Sequence, residues 1–489
     1  MKQKSLIKNS AFYMVYNVLN MLFPFLTSMY IARVLLPVAI GEVTYANNIV
    51  CYFSILAFLG IPTYGLREVA NARDDKERLN KLFSELYIIN GISTAVFSLA
   101  YYAMIFIIPA FREHLLLHCL VGLNVVLNAF SISWLFEGLE EFSYMSVKNT
   151  IVKIVAFVLL VLFVRSENDT IIYVCISLLG TCGSYFFNMF YSRRFVRFTL
   201  KGLNLKRHMK SIFMLVTVNL AIEIYTLVDK TMLGSMMTKD HVAFYTYASA
   251  INRVGLSFTS TLTTVLVPRI SYYYEIGKKE EFNKLLTKGL KTILVLAIPI
   301  VVGIQFTSRY IICLLYGEAY ITSVYVERVL AMTMIISPIG YLLGSRVMLV
   351  SNQEHKMIIA VASGAVVNII GNYFFIQLYA EMGAAIASVI SELVVMVVYL
   401  NFGRKVFKLE PFMGTVGKAL IAAVGEALVL LLCLWLIPND LVRTIVQVIS
   451  GAAAYIVILY LLKDEMFVDY IHYFISKIRN GLRRKRKVS

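Results

Sequence analysis

The sequence predicts an all-α polytopic membrane protein of about 14 transmembrane helices, arranged as two six-helix lobes plus two C-terminal helices. Of its 489 residues, 59% are hydrophobic and only 15% are charged, and the mean hydropathy is +0.74. Soluble globular proteins average about 45–50% apolar and about 25% charged residues. The composition therefore excludes soluble enzymes, disordered scaffolds and secreted disulfide frameworks. Transporters, channels, receptors and intramembrane enzymes remain.

Apolar windows of about 20 residues, the length that crosses a bilayer, locate the spans. Six precede a break rich in arginine and lysine, at 10–32, 43–65, 82–108, 115–137, 149–164 and 170–191. Eight follow it, at 211–237, 241–267, 286–312, 327–350, 357–378, 383–402, 413–436 and 442–462. The loops between them are short, so the sequence predicts no extramembrane domain.

The positions of lysine and arginine predict the orientation, because cytoplasmic loops carry their excess. With the N-terminus inside, about 35 of the 46 basic residues fall in the termini and in loops on the same side. The richest of these loops are 67–81, 193–210, 269–291 and 404–418. Both termini are thus predicted to be cytoplasmic. Topology explains the net charge of +17, so no nucleic-acid partner is predicted.

The C-terminal segment 463–489 predicts a basic amphipathic cytoplasmic tail. Apolar residues recur at helical spacing over 466–482, and five consecutive cations follow at 483–487. Such a tail would bind anionic membrane lipids. A disordered, solvated tail is the alternative.

An internal repeat predicts the domain organisation. An offset of 202 residues matches Thr44, Tyr45, Ala46 and Ile49 with Thr246, Tyr247, Ala248 and Ile251, and also pairs Asn17 with Asn219 and Arg67 with Arg269. Six helices separate the copies, so both keep one orientation and form a parallel repeat with a pseudo-twofold axis along the membrane normal. The predicted domains are lobes at 1–200 and 201–405, two additional helices at 406–462, and the tail.

Polar residues follow one face of several spans and predict a cavity between the lobes. Asn17 lies on such a face in the first span, Asn219, Glu223 and Lys230 in the seventh, and Arg253 in the eighth. Lipid contact would penalise these rows, whereas a water-filled cleft would favour them. Hydrogen bonding between helices is the alternative for the hydroxyls and amides.

Ionisable residues in the spans are the strongest site candidates, since each costs roughly 2.5–3.5 kcal/mol at mid-membrane. The central cluster is Glu223, Asp229, Lys230 and Arg253, and further candidates are Arg33, Lys153, Arg346, Glu392 and Glu426. Asp229 with Lys230, or Glu223 with Arg253, could instead be simple neutralising pairs. No catalytic, metal-ligating or cofactor motif occurs in the sequence.

Three motifs carry a resemblance to a known family. They are Trp134–Glu140 ending the fourth span, Val228–Gly234 ending the seventh, and Gly383–Ala387 in the twelfth, and Leu315-Tyr316-Gly317 extends the likeness. In order and spacing they resemble the Wzx-type polysaccharide flippases. The resemblance implies membership of the multidrug/oligosaccharidyl-lipid/polysaccharide exporter superfamily, in which two six-helix lobes surround a central cavity.

The resemblance implies a non-enzymatic function in the bacterial cytoplasmic membrane. Such flippases move undecaprenyl-diphosphate-linked oligosaccharides to the outer leaflet for surface polysaccharides such as O-antigen or capsule, and polysaccharide assembly proteins are candidate partners. Carried onto this sequence, Asp229 and Lys230 match the seventh-span motif, and Arg253 matches a basic residue common in the eighth.

The driving force and the function class stay open at the level of sequence. The membrane potential could drive an anionic substrate outward, or a proton or sodium gradient could act through Glu223, Asp229, Glu392 or Glu426. A cation-coupled multidrug exporter of the same superfamily is the first alternative. An intramembrane glycan polymerase or ligase is the second, although the short outer loops disfavour it.

Overall fold

A computed structural model describes residues 22–464 and 467. The structure is 86% helical, and its described residues contain no strand. This confirms the predicted all-α membrane fold, in which helices satisfy their own backbone hydrogen bonds without water. Asn17 and nearly all of the tail at 463–489 lie outside the described residues.

The chain divides into two compact units, Met1–Ala243 and Phe244–Ser489. The described helices of the first unit are α1 (Leu22–Val34), α2 (Pro37–Phe58), α3 (Ile61–Ala72), α4 (Lys76–Ile107), α5 (Leu115–Leu127), α6 (Ser133–Gly138), α7 (Phe142–Phe163), α8 (Thr170–Ser192) and α9 (Lys206–Met236). Within this unit α9 packs along α2. The sequence places α9 in the second lobe, and the lobe boundary at residue 200 stays a prediction.

Helix α10 (Lys239–Glu275) begins at the end of the first unit and continues into the second. The second unit then contains α11 (Lys279–Tyr316), α12 (Thr322–Leu330), α13 (Thr333–Gly340), a π-helix at Tyr341–Arg346, α14 (Val347–Val350), α15 (Glu354–Gly403), α16 (Met413–Leu436) and α17 (Asp440–Leu461). Helices α11, α16 and α17 pack on one another.

Within 22–464, nine helical stretches are long and apolar enough to cross a membrane. One of them joins α2 to α3 as Pro37–Ala72, and another runs through the π-helix as Thr322–Val350. Helices α9 and α10 occupy the positions of the predicted seventh and eighth spans but are not among the nine. The count of 14 spans therefore stays a prediction.

Helix α15 is a hairpin of two antiparallel helices. Its 50 residues would extend about 75 Å if straight, more than twice the roughly 30 Å of bilayer hydrocarbon. Ala380 breaks the helix with φ 47° and ψ −127°. A Cβ on Gly383 would lie 2.0 Å from the Phe375 carbonyl oxygen, and one on Gly371 would lie 3.2 Å from the Ala387 Cβ. The predicted spans 357–378 and 383–402 are the two arms of this hairpin.

The loop that follows α8 is fixed to the first turns of α4. The Arg197 N–H donates to the Asn80 Oδ1 at 2.7 Å, and the Thr199 N–H donates to the Ser84 Oγ at 2.9 Å. The Ser84 hydroxyl donates in turn to the Asn80 carbonyl oxygen at 2.8 Å. Two side chains one helical turn apart thus satisfy alternate backbone groups of the loop.

The second unit repeats this arrangement at the start of α11. The Lys408 N–H donates to the Asn283 Oδ1 at 3.0 Å, and the Glu410 N–H donates to the Thr287 Oγ1, also at 3.0 Å. The Thr287 hydroxyl donates to the Asn283 carbonyl oxygen at 2.9 Å. In each unit, an Asn-x₃-Ser/Thr pair at the start of a long helix therefore anchors a loop that is distant in sequence. The pair on α4 anchors the loop after α8, and the pair on α11 anchors the loop after α15.

Next to the first of these anchors, Glu85 is buried in a polar network. The carboxylate is 1% exposed and accepts the Asn204 N–H at 2.7 Å, lies 2.9 Å from the His208 Nε2, and pairs with Arg207. The Tyr64 hydroxyl lies 2.8 Å from the His208 Nδ1. A buried carboxylate is stable only when it is paired and hydrogen-bonded, and these partners connect α4 to the start of α9.

Gly383→Ala should destabilise the protein by about 2 kcal/mol, because the added Cβ would overlap the Phe375 carbonyl oxygen in a packed hairpin. Thermal unfolding of the purified protein in detergent measures the change. Gly417→Ala is the matched control, since no heavy atom lies within 4 Å of its added Cβ. Helix propensity should make that variant equal to the wild type or slightly more stable. Equal stability of the two variants would contradict the hairpin geometry.

Asn80→Ala should loosen the loop at 193–205, and Asn283→Ala the loop at 404–412. Each change removes one side-chain acceptor, worth about 1 kcal/mol, so trypsin should cleave the corresponding loop about fivefold faster. Each variant is the control for the other, because its effect should stay in its own loop. Cleavage that rises in both loops in either variant would indicate general destabilisation instead.

Candidate functional site

A polar contact joins α2 to α9 inside the first unit. Asn48 is buried on α2, and its Nδ2 donates to the Leu227 carbonyl oxygen at 2.9 Å and to the Thr231 Oγ1. The Tyr52 hydroxyl lies 3.0 Å from the same Thr231 oxygen. Polar side chains of α2 therefore face α9 at Leu227 and Thr231.

The predicted charged residues of α9 lie along this contact. Glu223 and Lys230 are half-buried and both lie within electrostatic range of Cys51 on α2. Asp229 is buried within electrostatic range of Tyr52. The structure thus brings together three of the predicted site residues. The side chain of Asn219 lies outside the described residues.

Local hydrogen bonding orients the Glu223 carboxylate. The Thr226 hydroxyl, one turn further along α9, lies 3.1 Å from the Glu223 Oε2 and donates to the Glu223 carbonyl oxygen at 3.0 Å. Thr226 is exposed and Glu223 is half-buried. The carboxylate therefore stays accessible from outside the helix pair.

On α10, two adjacent residues have opposite environments. Asn252 is buried and its Nδ2 donates to the Thr333 Oγ1 at 3.0 Å, whereas Arg253 is exposed. Arg253 has no ion-pair partner among the residues that the structure describes. A guanidinium in this state is available to an anionic ligand. The polar row predicted on the eighth span contains Arg253 but not Asn252. Adjacent residues of a helix point about 100° apart, so the two side chains lie on different faces.

A second polar group lies at the π-helix of the second unit. The Ser337 hydroxyl donates to the Glu392 Oε2 at 2.7 Å, and Tyr341 lies within electrostatic range of Glu392 and Arg346. The Arg346 Nε is buried and has no hydrogen-bond partner among the described residues. Arg346 and Glu392, predicted separately, therefore belong to one neighbourhood.

The π-helix itself was not predicted. Pro338 lies one turn before it and cannot donate a backbone hydrogen bond, and π-helical turns often occur at functional sites. The GxxxG motif at Gly340 and Gly344 packs against α15. A Cβ on Gly344 would lie 2.1 Å from the Tyr399 ring, and one on Gly340 would lie 3.6 Å from the Met396 Cα.

The remaining candidates lie on other helices. Arg33 is exposed on α1, Lys153 is half-buried on α7, and Glu426 is buried on α16. The Glu426 Oε2 has no hydrogen-bond partner within the described part of the chain.

Glu327 and Lys148 are among the buried ionisable residues that the sequence patterns did not predict. Glu327 on α12 is fully buried, and neither carboxylate oxygen has a hydrogen-bond partner within 22–464. Lys148 is buried on α7, where its Nζ bonds to the Asn188 Oδ1 and lies 5.4 Å from the centre of the Tyr144 ring. The sequence feature that could have identified Glu327 and Lys148 is their position at the edge of a predicted span, 327–350 and 149–164 respectively. Across the described ranges, no group of three metal-ligating side chains could hold a metal ion.

Two protein-family models match the chain. The model described as "Polysaccharide biosynthesis protein" matches residues 6–274, and the MatE model matches residues 215–374. The chain is 21% identical over 414 residues to the "Putative O-antigen transporter" of Escherichia coli (strain K12), covering 82% of this chain and 97% of that protein. It is 22% identical to the "Capsular polysaccharide biosynthesis protein CapF" of Staphylococcus aureus, covering 82% of this chain and 100% of that protein.

Solved structures show the same fold. The inward closed conformation of the lipid II flippase MurJ aligns with a TM-score of 0.69 at 16% identity, covering 94% of this chain and 99% of MurJ. An inward-facing multidrug resistance MATE transporter of the MOP superfamily aligns with a TM-score of 0.62 at 14% identity, covering 78% and 93%. Since the first family model spans more than half of the sequence, the chain belongs to the polysaccharide biosynthesis protein family, and it has the fold of the multidrug/oligosaccharidyl-lipid/polysaccharide exporter superfamily.

Proposed function

We propose that this protein is a flippase that moves lipid-linked oligosaccharides from the inner to the outer leaflet of the bacterial cytoplasmic membrane. The observation that carries the proposal is the pair of half-buried charges on α9, Glu223 and Lys230, in a chain of the polysaccharide biosynthesis family. The names of its relatives, which include an O-antigen transporter and a lipid II flippase, support a transporter rather than an enzyme. Both termini would be cytoplasmic, as the basic loops predict.

The substrate presents a charged headgroup that must cross about 30 Å of hydrocarbon. Arg253 and Lys230 are each candidates for a charge-assisted hydrogen bond to the diphosphate. Hydroxyls such as those of Tyr52 on α2 and Thr226 on α9 would contact sugar hydroxyls. The polyprenyl chain would stay in the lipid, and movement of one lobe against the other would alternate access to the site.

The acidic residues have a balancing role in this scheme. Glu223 and Lys230 both act electrostatically on Cys51 of α2, and in this proposal the carboxylate balances the cation when no substrate is bound. A diphosphate would displace this pairing, because a phosphate offers more acceptor oxygens to a cation than a carboxylate does. The half-buried position of both side chains leaves room for such an exchange.

A cation-coupled multidrug exporter is the second candidate. The MatE match over residues 215–374 and the MATE structural neighbour favour it. A cationic drug prefers an acidic cavity, however, whereas the charged groups here are mixed. The exposed guanidinium of Arg253 would repel such a drug and attract a diphosphate.

Arg253→Gln should lower the rate of transfer of a diphosphate-linked oligosaccharide at least tenfold, since a hydrogen bond to a charged group contributes about 1.5–3 kcal/mol. Leaflet accessibility of the labelled lipid in sealed vesicles measures transfer. Arg269→Gln is the matched control, because Arg269 is also an exposed arginine on α10 and should leave the rate unchanged. Export of a cationic drug by both variants, without transfer of the glycan lipid by the wild type, would favour the second candidate.

The membrane potential should drive transfer. An inside-negative potential of 100 mV favours outward movement of a doubly charged diphosphate by about 4–5 kcal/mol. Collapsing the potential with valinomycin and potassium in the vesicle assay should therefore abolish net accumulation in the outer leaflet. If accumulation persists without a potential but stops when a proton or sodium gradient is removed, ion coupling replaces this proposal. Glu392→Gln, Glu426→Gln and Asp229→Asn would then identify the coupling residue.

A further inference from the structure

A cavity of about 470 Å³ lies at the start of α11 and α16, inside the second unit. It adjoins the loop anchor formed by Thr287 and Glu410, at the end of the helices predicted to be cytoplasmic. Its charged lining consists of Lys284, Lys288, Lys291 and Lys418 with Glu410 and Asp464. Neither Lys230 nor Arg253, the proposed substrate-binding cations, lines it.

The lining has a net positive charge, because four lysines face two carboxylates. Part of this charge is already engaged. Lys284 pairs with Glu280 at 2.7 Å, and the Lys418 Nζ donates to the Lys463 carbonyl oxygen at 3.0 Å. Asp464 is 2% exposed, and its Oδ1 accepts the Phe467 N–H at 3.1 Å. The Asp464 carboxylate thus accepts a backbone hydrogen bond. By count, the cavity lining has more lysines than carboxylates.

The corresponding place in the first unit contains an anion. There, Glu85 follows the anchoring Ser84, and its carboxylate is surrounded by Arg207, His208 and the Asn204 N–H. In the second unit Lys288 follows the anchoring Thr287, and α16 contributes Lys418 as α9 contributes Arg207. The second unit thus has cations in both positions, and a bound anion would take the place of the Glu85 carboxylate.

The surroundings of the cavity fit a lipid better than a soluble ion. Ile421 lies one turn after Lys418 on α16 and is 57% exposed, and Leu296 lies two turns after Lys288 on α11 and is 44% exposed. Apolar side chains therefore continue from the cavity along the bilayer-spanning parts of both helices. Basic pockets between spans on the cytoplasmic side are suited to anionic lipid headgroups.

We propose that this cavity binds the phosphate of an anionic phospholipid of the inner leaflet, with an acyl chain lying along α16. The site differs from the basic tail at 483–487, which lies outside the described residues. Phospholipid binding at this cavity does not depend on transport activity. The proposal can therefore be tested even if the proposed flippase function fails.

The test titrates the purified full-length protein in neutral detergent with phosphatidylglycerol or phosphatidylcholine, and native mass spectrometry counts the bound lipids. Phosphatidylglycerol should bind more tightly. Phosphatidylglycerol binding should be weakened by each of two variants on different helices, Lys288→Gln/Lys291→Gln on α11 and Lys418→Gln on α16. The double variant should weaken it about 25-fold, from roughly 1 kcal/mol for each lysine near an anionic surface.

Lys278→Gln/Lys279→Gln is the matched control, because both lysines are exposed at the start of α11 and neither lines the cavity. It should bind phosphatidylglycerol as the wild type does. The tail is unchanged in every variant, so its contribution is constant. Equal weakening by the control variant, or equal binding of the two lipids by the wild type, would overturn the proposal. Full displacement of phosphatidylglycerol by millimolar inorganic phosphate would assign the cavity to a soluble anion instead.

Discussion

Close approach of helices at glycine is the constraint on which the rest of this structure depends. In a bilayer, lipid is as apolar as the side chains, so helices associate through tight packing rather than through the hydrophobic effect. A Cβ on Gly138 would lie 2.6 Å from Val69, one on Gly234 would lie 2.3 Å from the Tyr45 ring, and one on Gly383 would lie 2.0 Å from Phe375. Each of these glycines belongs to a motif that carries the family resemblance. The motifs therefore mark where helices pack closely.

The motif that ends α9 shows how packing and function are connected. Gly234 holds the end of α9 against α2, and Thr231, one turn earlier, accepts the Asn48 amide. With the helix pair fixed at these points, Glu223 and Lys230 are held along α2 without being fully buried. A rigid backbone with accessible charges suits the proposed substrate site, because little reorganisation accompanies binding.

The sequence could predict what depends on composition and local pattern. Hydropathy located the arms of the α15 hairpin, and residues 379–382 between the windows contain the turn at Ala380. Glu223, Asp229 and Lys230 could be grouped because they share one helix. The rotation of each helix about its axis is set by tertiary packing, so Asn252 rather than Arg253 lies in the core. The π-helix and the burial of Glu327 and Lys148 depend on neighbours distant in sequence, which no single window contains.

The two loop anchors show that one backbone arrangement can have two electrostatic outcomes. Asn80 with Ser84, and Asn283 with Thr287, fix their loops through equivalent hydrogen bonds. The residue directly after the anchoring Ser84 or Thr287 determines the charge beside the anchor, and it is Glu85 in the first unit and Lys288 in the second. Glu85 supplies its own anion and closes a buried network, because an ionised carboxylate at 1% exposure requires partners. In the second unit the residue at the same place is Lys288, and the cavity beside it is lined by three further lysines and two carboxylates, so like charges repel and the packing stays more open there.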